Sequence, residues 1–230
     1  MSSVWITRTE PGASRSAEAW REAGFTAFVS PLLSVRPVVP EALLPSTFIP
    51  AFTSPNAVRL SGLDPSGPAL VVGDATGMEA TKAGWAAVRM GGGDVKSMAQ
   101  AIVAKFADPK EGSQGADLLE HIIVHICGRR LAGDLVEGLR MAGLSAQRHV
   151  VYDTVAVEAL PHFPCPPSVT ALMSPYAAET FERLAPTGWP GAVACLSEAV
   201  AKRLSGRRVV VAEQPTQAAL IAAARKEVEA

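Results

Sequence analysis

The sequence predicts an α/β fold of two similar parallel-sheet lobes, one inserted into the other and joined by a two-stranded hinge. Three observations predict it. Short apolar runs alternate with helix-period segments along the chain, the pattern of strand–helix–strand units. A strand-to-helix corner at Phe52-Thr53-Ser54-Pro55-Asn56-Ala57-Val58 returns at Leu172-Met173-Ser174-Pro175-Tyr176-Ala177-Ala178. Two helix ends also match, Ala23-Gly24 and Ala142-Gly143, each followed by an extended run.

In chain order, Val4 to Thr7 reads as a strand ending at Arg8, Pro11 and Gly12, and Ser14 opens a helix with Ala17, Ala19, Trp20 and Ala23 on its apolar face. Phe25 to Val29 is a strand that leads into the extended segment Val35 to Pro40. Thr47 to Thr53 reads as a buried strand, and Asn56 to Leu63 as a helix ended by Gly62. At the corner between them Ser54 caps free backbone N–H groups, and Pro55 loses no hydrogen bond at the first helical position. Ala69 to Gly73 is a strand, and Asp74-Ala75-Thr76 starts a helix ended by Gly84. Trp85 to Met90 is a strand, Gly91 to Asp94 a turn, and Val95 to Phe106 a helix. Asp108 to Gly115 is polar and glycine-containing, the signature of a surface loop.

His121 to Cys127 is again a strand, Leu131 to Met141 a helix, and His149 to Val157 an extended stretch. Val193 to Leu196 is a strand, Ser197 a corner, and a helix runs to Leu204. The strand Arg208 to Ala212 and a helix from Pro215 to Val228 close the chain. The echoes place one lobe at residues 40–148 and a discontinuous one at 1–35 plus 160–230. Residues 34–40 and 149–158 are the crossings, expected to pair as hinge strands. Corners at strand carboxyl ends are where open α/β sheets bind ligands, so the repeated corners are expected to face one cleft.

Composition narrows the function. The 230 residues are 48% hydrophobic, enough for packed cores, yet no apolar run reaches membrane-spanning length. The N-terminus enters a strand pattern without a basic region or cleavage site, which predicts a cytoplasmic protein. Cys127 and Cys195 lie in apolar runs and Cys165 in a proline-rich stretch, so no disulfide framework is expected. With 21 basic and 22 acidic side chains, the net charge is −1 and like charges form no run. That disfavours nucleic acid and membrane surfaces as partners.

Motifs exclude further chemistry. Gly91-Gly92-Gly93 is no dinucleotide fingerprint or P-loop and reads as a tight turn. His121 and His125 are spaced for a metal on a helix, but their run reads as a strand without further ligands, so no metal and no cofactor is expected. No Gly-x-Ser-x-Gly elbow points to a serine nucleophile. What remains is a set of hydroxyls at helix starts, Ser54, Thr76, Ser174 and Ser197, with Asn56 beside the first and Arg8 and Arg129 in two equivalent loops. Helix N-termini attract carboxylates and phosphates without a basic surface, and the same hydroxyls also serve as plain caps. Tyr152, in the expected hinge, carries a phenol of pKa about 10, a plausible proton donor at neutral pH and equally an ordinary strand aromatic.

Ile6-Thr7-Arg8 with Pro11-Gly12, the Phe52–Val58 corner, Val72-Gly73-Asp74-Ala75-Thr76, Val151-Tyr152-Asp153-Thr154, Met173-Ser174-Pro175, and Ala212 to Leu220 with Pro215-Thr216 together resemble the uroporphyrinogen-III synthase family over nearly the whole chain. The resemblance implies two flavodoxin-like lobes in the HemD-like arrangement. It implies conversion of linear hydroxymethylbilane to uroporphyrinogen III, with loss of water and inversion of ring D, by a monomeric lyase of heme biosynthesis. It also assigns hydroxyl departure to Tyr152 and substrate binding to Ser54 and Thr76. Ser197-Glu198-Ala199-Val200 departs from the Gly-Pro-Thr-Thr corner of many members, leaving Ser197 and nearby amides for that loop. The competing reading is a two-lobed cytosolic module that binds or senses a small anion without chemistry.

Overall fold

The computed structural model describes residues 2–106, 121–131 and 133–229. The chain divides into two compact units, unit 1 from Met1–Ser34 and Val155–Ala230, and unit 2 from Val35–Thr154. The expected loop at Asp108 to Gly115 lies outside the described residues.

Unit 1 is built on strands β1 (Ser3–Ile6), β2 (Thr26–Val29), β9 (Val169–Leu172), β10 (Ala192–Cys195) and β11 (Val209–Val211), ordered β11-β10-β9-β1-β2 and parallel throughout. On one face α1 (Gly12–Glu22) and the last helix, α8 (Gln217–Glu229), bury Ala17, Trp20, Leu220 and Ala224 against Val4, Ile6, Val169 and Ala194. On the other, α6 (Pro175–Leu184) and the short α7 (Glu198–Ala201) set Ala178, Phe181 and Val200 against Trp5, Leu172, Val193 and Cys195. Strands covered on both sides have to be apolar throughout, and β9 and β10 are fully buried along their lengths.

Unit 2 repeats the plan. Its sheet contains β3 (Leu33–Pro37), β4 (Phe48–Phe52), β5 (Pro68–Val71), β6 (Ala86–Arg89), β7 (Ile122–Gly128) and β8 (Ala146–Ala156), ordered β3-β8-β7-β4-β5-β6. From β8 to β6 the pairs are parallel. One face carries α4 (Val95–Phe106) and α5 (Leu135–Met141), whose Met98, Ile102, Leu135 and Leu139 cover Ile49, Ala51, Leu70 and Ile123. The other carries α2 (Pro55–Leu60) and α3 (Asp74–Lys82), with Ala57, Val58 and Ala80 over Phe52, Val71, Val124 and Ile126. The unit boundary falls inside β3 and β8. Val38 N–H bonds to the Val151 carbonyl at 3.1 Å and Val157 N–H to the Leu32 carbonyl at 3.0 Å. One strand ascends as the other descends, so this pair is antiparallel.

The matching helix ends have one cause. After α1, α3 and α5 the chain turns through Gly24, Gly84 and Gly143 at φ of 87°, 98° and 83°. The next N–H then reaches back five residues, as from Phe25 to Trp20, Trp85 to Ala80 and Leu144 to Leu139. That backbone favours glycine because a side chain there is strained.

Several element edges differ from expectation. The first helix opens at Gly12, not Ser14, because Pro11 already supplies its cap position. The helix expected from Leu131 begins at Leu135, where the Asp134 carboxylate accepts from Glu137 N–H at 3.0 Å. The helix expected to end at Gly62 stops at Leu60, and the one running to Leu204 stops at Ala201. The last helix starts at Gln217, two residues beyond Pro215, with Thr216 Oγ1 accepting from Ala219 N–H.

Candidate functional site

In unit 2 the parallel strands β4, β5, β7 and β8 bring their carboxyl ends to one edge, the side where such sheets place ligand loops. Ser54 follows β4 and caps α2. Its backbone is extended, at φ −153° and ψ 140°, and its Oγ accepts from Asn56 N–H at 3.2 Å, with Pro55 next in the helix. The Ser54 hydroxyl is also a neighbour of the Tyr152 phenol and acts on its acidity. Tyr152, only 9% exposed, packs with Phe52, Ala57, Val58 and Trp85. Burial pushes its phenol above the ordinary tyrosine value, a direction the neighbouring Ser54 hydroxyl opposes. Tyr152 is thus protonated at neutral pH.

The other candidates of this unit have different surroundings. The Asn56 side chain accepts from Arg59 at 2.5 Å on the surface, so it is held within its own helix. Thr76 is buried in the first turn of α3 but does not cap it, since Gly73 at φ 74° holds the cap position. Its hydroxyl is therefore not explained by capping. Arg129 is half exposed, its guanidinium 3.6 Å from Asp153 and 3.9 Å from Glu41.

In unit 1, β1, β9 and β10 likewise end on a common edge. Arg8 leaves β1 and folds back under the start of α1. A Cβ on Gly12 would lie 2.5 Å from its Cζ, and Nη1 donates to Ser16 Oγ at 3.3 Å. Ser16 is in turn tied to Gln217 at 2.7 Å. Burial and the nearby Arg15 lower the Arg8 pKa. Arg8 and Arg129 were expected in equivalent loops, but one is packed beneath a helix and the other faces water. Ser174 caps α6 through Ala177 N–H at 3.2 Å. Ser197 occupies the cap position of α7 without a side-chain bond to it, so its hydroxyl does not serve as a cap.

The candidates thus divide between the units, Tyr152, Ser54, Asn56, Thr76 and Arg129 in unit 2 and Arg8, Ser174 and Ser197 in unit 1. Two residues of unit 2, Arg148 and Gly128, escaped the sequence reading, and a third, His125, entered it only as a metal-ligand candidate. His125 lies on β7 with Nε2 3.0 Å from Thr53 Oγ1. Burial first, then the Arg148 charge, hold its imidazole down to about 4, so it is neutral. Arg148 donates to the Gly128 carbonyl at 2.9 Å, and Gly128 lies against the Tyr152 ring. A lone arginine in an extended run and a glycine at a strand end were their only signals. Among the described residues no cluster of three His, Cys, Asp or Glu is placed to hold a metal, and no helix is long and apolar enough to cross a membrane.

Two parallel-sheet units joined through paired strands, each with polar loops at its strand carboxyl ends, place the chain among α/β proteins of two repeated units. The chain belongs to the uroporphyrinogen-III synthase family, whose model, described as uroporphyrinogen-III synthase HemD, matches residues 14–222. Among solved structures it is similar to the uroporphyrinogen-III synthetase of Helicobacter pylori 26695, at 16% identity and a TM-score of 0.55, over 99% of this chain and 100% of that one. It is also similar to a mutant uroporphyrinogen III synthase from the extremely thermophilic bacterium Thermus thermophilus, at 13% identity and a TM-score of 0.50, over 100% and 99%. At such identities these two speak for the fold alone. No curated protein matches the chain.

Proposed function

We propose that the chain is a hydro-lyase that cyclises hydroxymethylbilane to uroporphyrinogen III, with loss of water and inversion of ring D, as a monomer in the cytoplasm. The observation that carries this reading is the family match across residues 14–222. The buried phenol of Tyr152 beside the Ser54 corner supports a chemical role for this residue. An anion sensor without chemistry has no observation in its favour once the family is known.

In the proposed course, the pyrrole nitrogen of ring A pushes out the terminal hydroxyl, and the Tyr152 phenol gives it the proton with which it leaves as water. The resulting azafulvene is attacked by the substituted carbon of ring D, giving a spiro intermediate. Fragmentation and reclosure invert ring D, and loss of the ring proton returns one proton equivalent to the phenolate. A phenol made less acidic by burial donates late, as charge develops on the departing oxygen. The remaining task is to hold a flexible chain so that the correct carbon reaches the azafulvene. Amides and hydroxyls at Ser54, Thr76, Ser174 and Ser197, with the guanidinium groups of Arg8 and Arg129 and the Asn56 amide, are the proposed holders of its acetate and propionate arms.

The test is incubation with freshly prepared hydroxymethylbilane, with the oxidised isomers resolved by chromatography. Type III is expected, and type I alone, the spontaneous product, defeats the reading. Tyr152→Phe is expected to lower turnover roughly 10- to 100-fold with the fold retained. An unchanged rate removes Tyr152 from the mechanism.

A further inference from the structure

β8 carries one residue too many opposite the end of β7. The register runs Cys127 against Val150 and then Gly128 against Tyr152, which makes Val151 the extra residue of a β-bulge. Side chains along a regular strand alternate between faces, and a bulge resets the alternation. Here Val151 and Tyr152 both pack into the cluster of Phe52, Val58 and Trp85. Without the bulge Tyr152 would take the opposite face, away from Ser54. The phenol's direction is therefore set by the bulge.

Three groups hold that bulge. A Cβ on Gly128 would lie 2.6 Å from both Cε2 and Cζ of Tyr152, closer than such atoms approach, and 3.0 Å from its hydroxyl oxygen. The ring occupies the space a side chain would need. Arg129 N–H donates to the Tyr152 carbonyl at 2.8 Å. Arg148, on β8 ahead of the bulge, sends Nη2 to the Gly128 carbonyl at 2.9 Å and to the Arg129 carbonyl, and Nε to Cys127 Sγ at 3.3 Å. One guanidinium thus grips three successive residues facing the bulge, a task for a planar fork of donors that an ammonium group performs less well.

We infer that Gly128 and Arg148 are positioning residues for Tyr152: the glycine leaves room for the ring, and the arginine fixes the β7 end against which the ring is aimed. This rests on the reading of Tyr152 as the proton donor. Their contacts run to the β7 end and to the Tyr152 ring, so in this inference each acts through the phenol.

The experiment uses the full chain with ring-labelled tyrosine. Tyr152 and Tyr176 are its two tyrosines, so two phenol signals report by NMR. In Gly128→Ala and Arg148→Gln the Tyr152 signal is expected to move and its titration to fall toward the ordinary tyrosine value. Turnover is expected to drop about 10-fold or more while KM stays within about twofold, as for a group misplaced around bound substrate. Arg148→Lys, which keeps the charge but loses the fork, is expected to fall between Arg148→Gln and the parent. Should Gly128→Ala not fold, the two Arg148 variants carry the test. Folded variants whose Tyr152 signal and titration stay at the parent values overturn the inference, whatever their turnover. If Tyr152→Phe keeps full activity, the proton-donor reading falls instead, and the phenol titration still decides whether Gly128 and Arg148 place the ring.

Discussion

His125 makes the stability of unit 2 depend on pH in a direction and amount that can be worked out. The residue is 1% exposed, its Nε2 is engaged by Thr53, and its Nδ1 is buried with no hydrogen-bond partner among the described residues. Burial and the Arg148 charge lower its pKa from 6.5 to about 4, with Asp134 pulling weakly the other way. The unfolded chain therefore takes up a proton below pH 6.5 that the folded chain refuses until about pH 4. The stabilisation is complete above 6.5 and is lost as pH falls through that window. The loss amounts to ~2 kcal/mol between pH 7.5 and pH 5 and approaches ~3 kcal/mol at the acid limit. Urea unfolding of the parent and of His125→Gln, followed by hydrogen-exchange protection of β4, β5 and β7, cancels the carboxylates common to both. The parent should lose ~2 kcal/mol relative to the variant over that pH range. Parallel pH profiles, or an NMR titration of His125 near 6.5, would refute the account of its burial.

Two further outcomes are expected. Thr76→Val keeps the shape of the side chain, and since this hydroxyl caps nothing, its removal should raise KM for hydroxymethylbilane; unaltered kinetics would return Thr76 to a purely structural part. Ser174→Ala removes the acceptor for Ala177 N–H and should cost about 1 kcal/mol in unfolding, with protection lost first in α6; a stability equal to the parent's would mean that water replaces the cap without loss.

What the sequence made legible is what short stretches decide among themselves. Ser54-Pro55 and Ser174-Pro175 specify an extended cap followed by a helical turn, and both form as expected. Gly24 and Gly143 close helices because the turn needs their backbone freedom. The start of α5 was misread because Leu131 lies four residues before Leu135 and continues the apolar period, while Asp134 stops the helix short of it. The bulge at Val151 stayed hidden for a different reason. It belongs to two strands at once, and no pattern within β8 alone tells that its partner runs one residue short. The His125 contact with Thr53 and the Arg148 grip on Gly128 likewise join positions 72 and 20 residues apart.

The pairing of β1 with β9 sets an order of events at the ribosome. Val4 finds its partner Val169 only after most of the chain has been made, while every strand paired from β4 to β8 lies within one continuous stretch. The later-begun unit can thus close during synthesis, and the first-made strand, together with α1 and β2, waits in the nascent chain for its neighbour to emerge. A translational stall after β8 has emerged and before β9 does would leave that opening segment without its central strand and open to chaperones, while the later-begun unit is already complete.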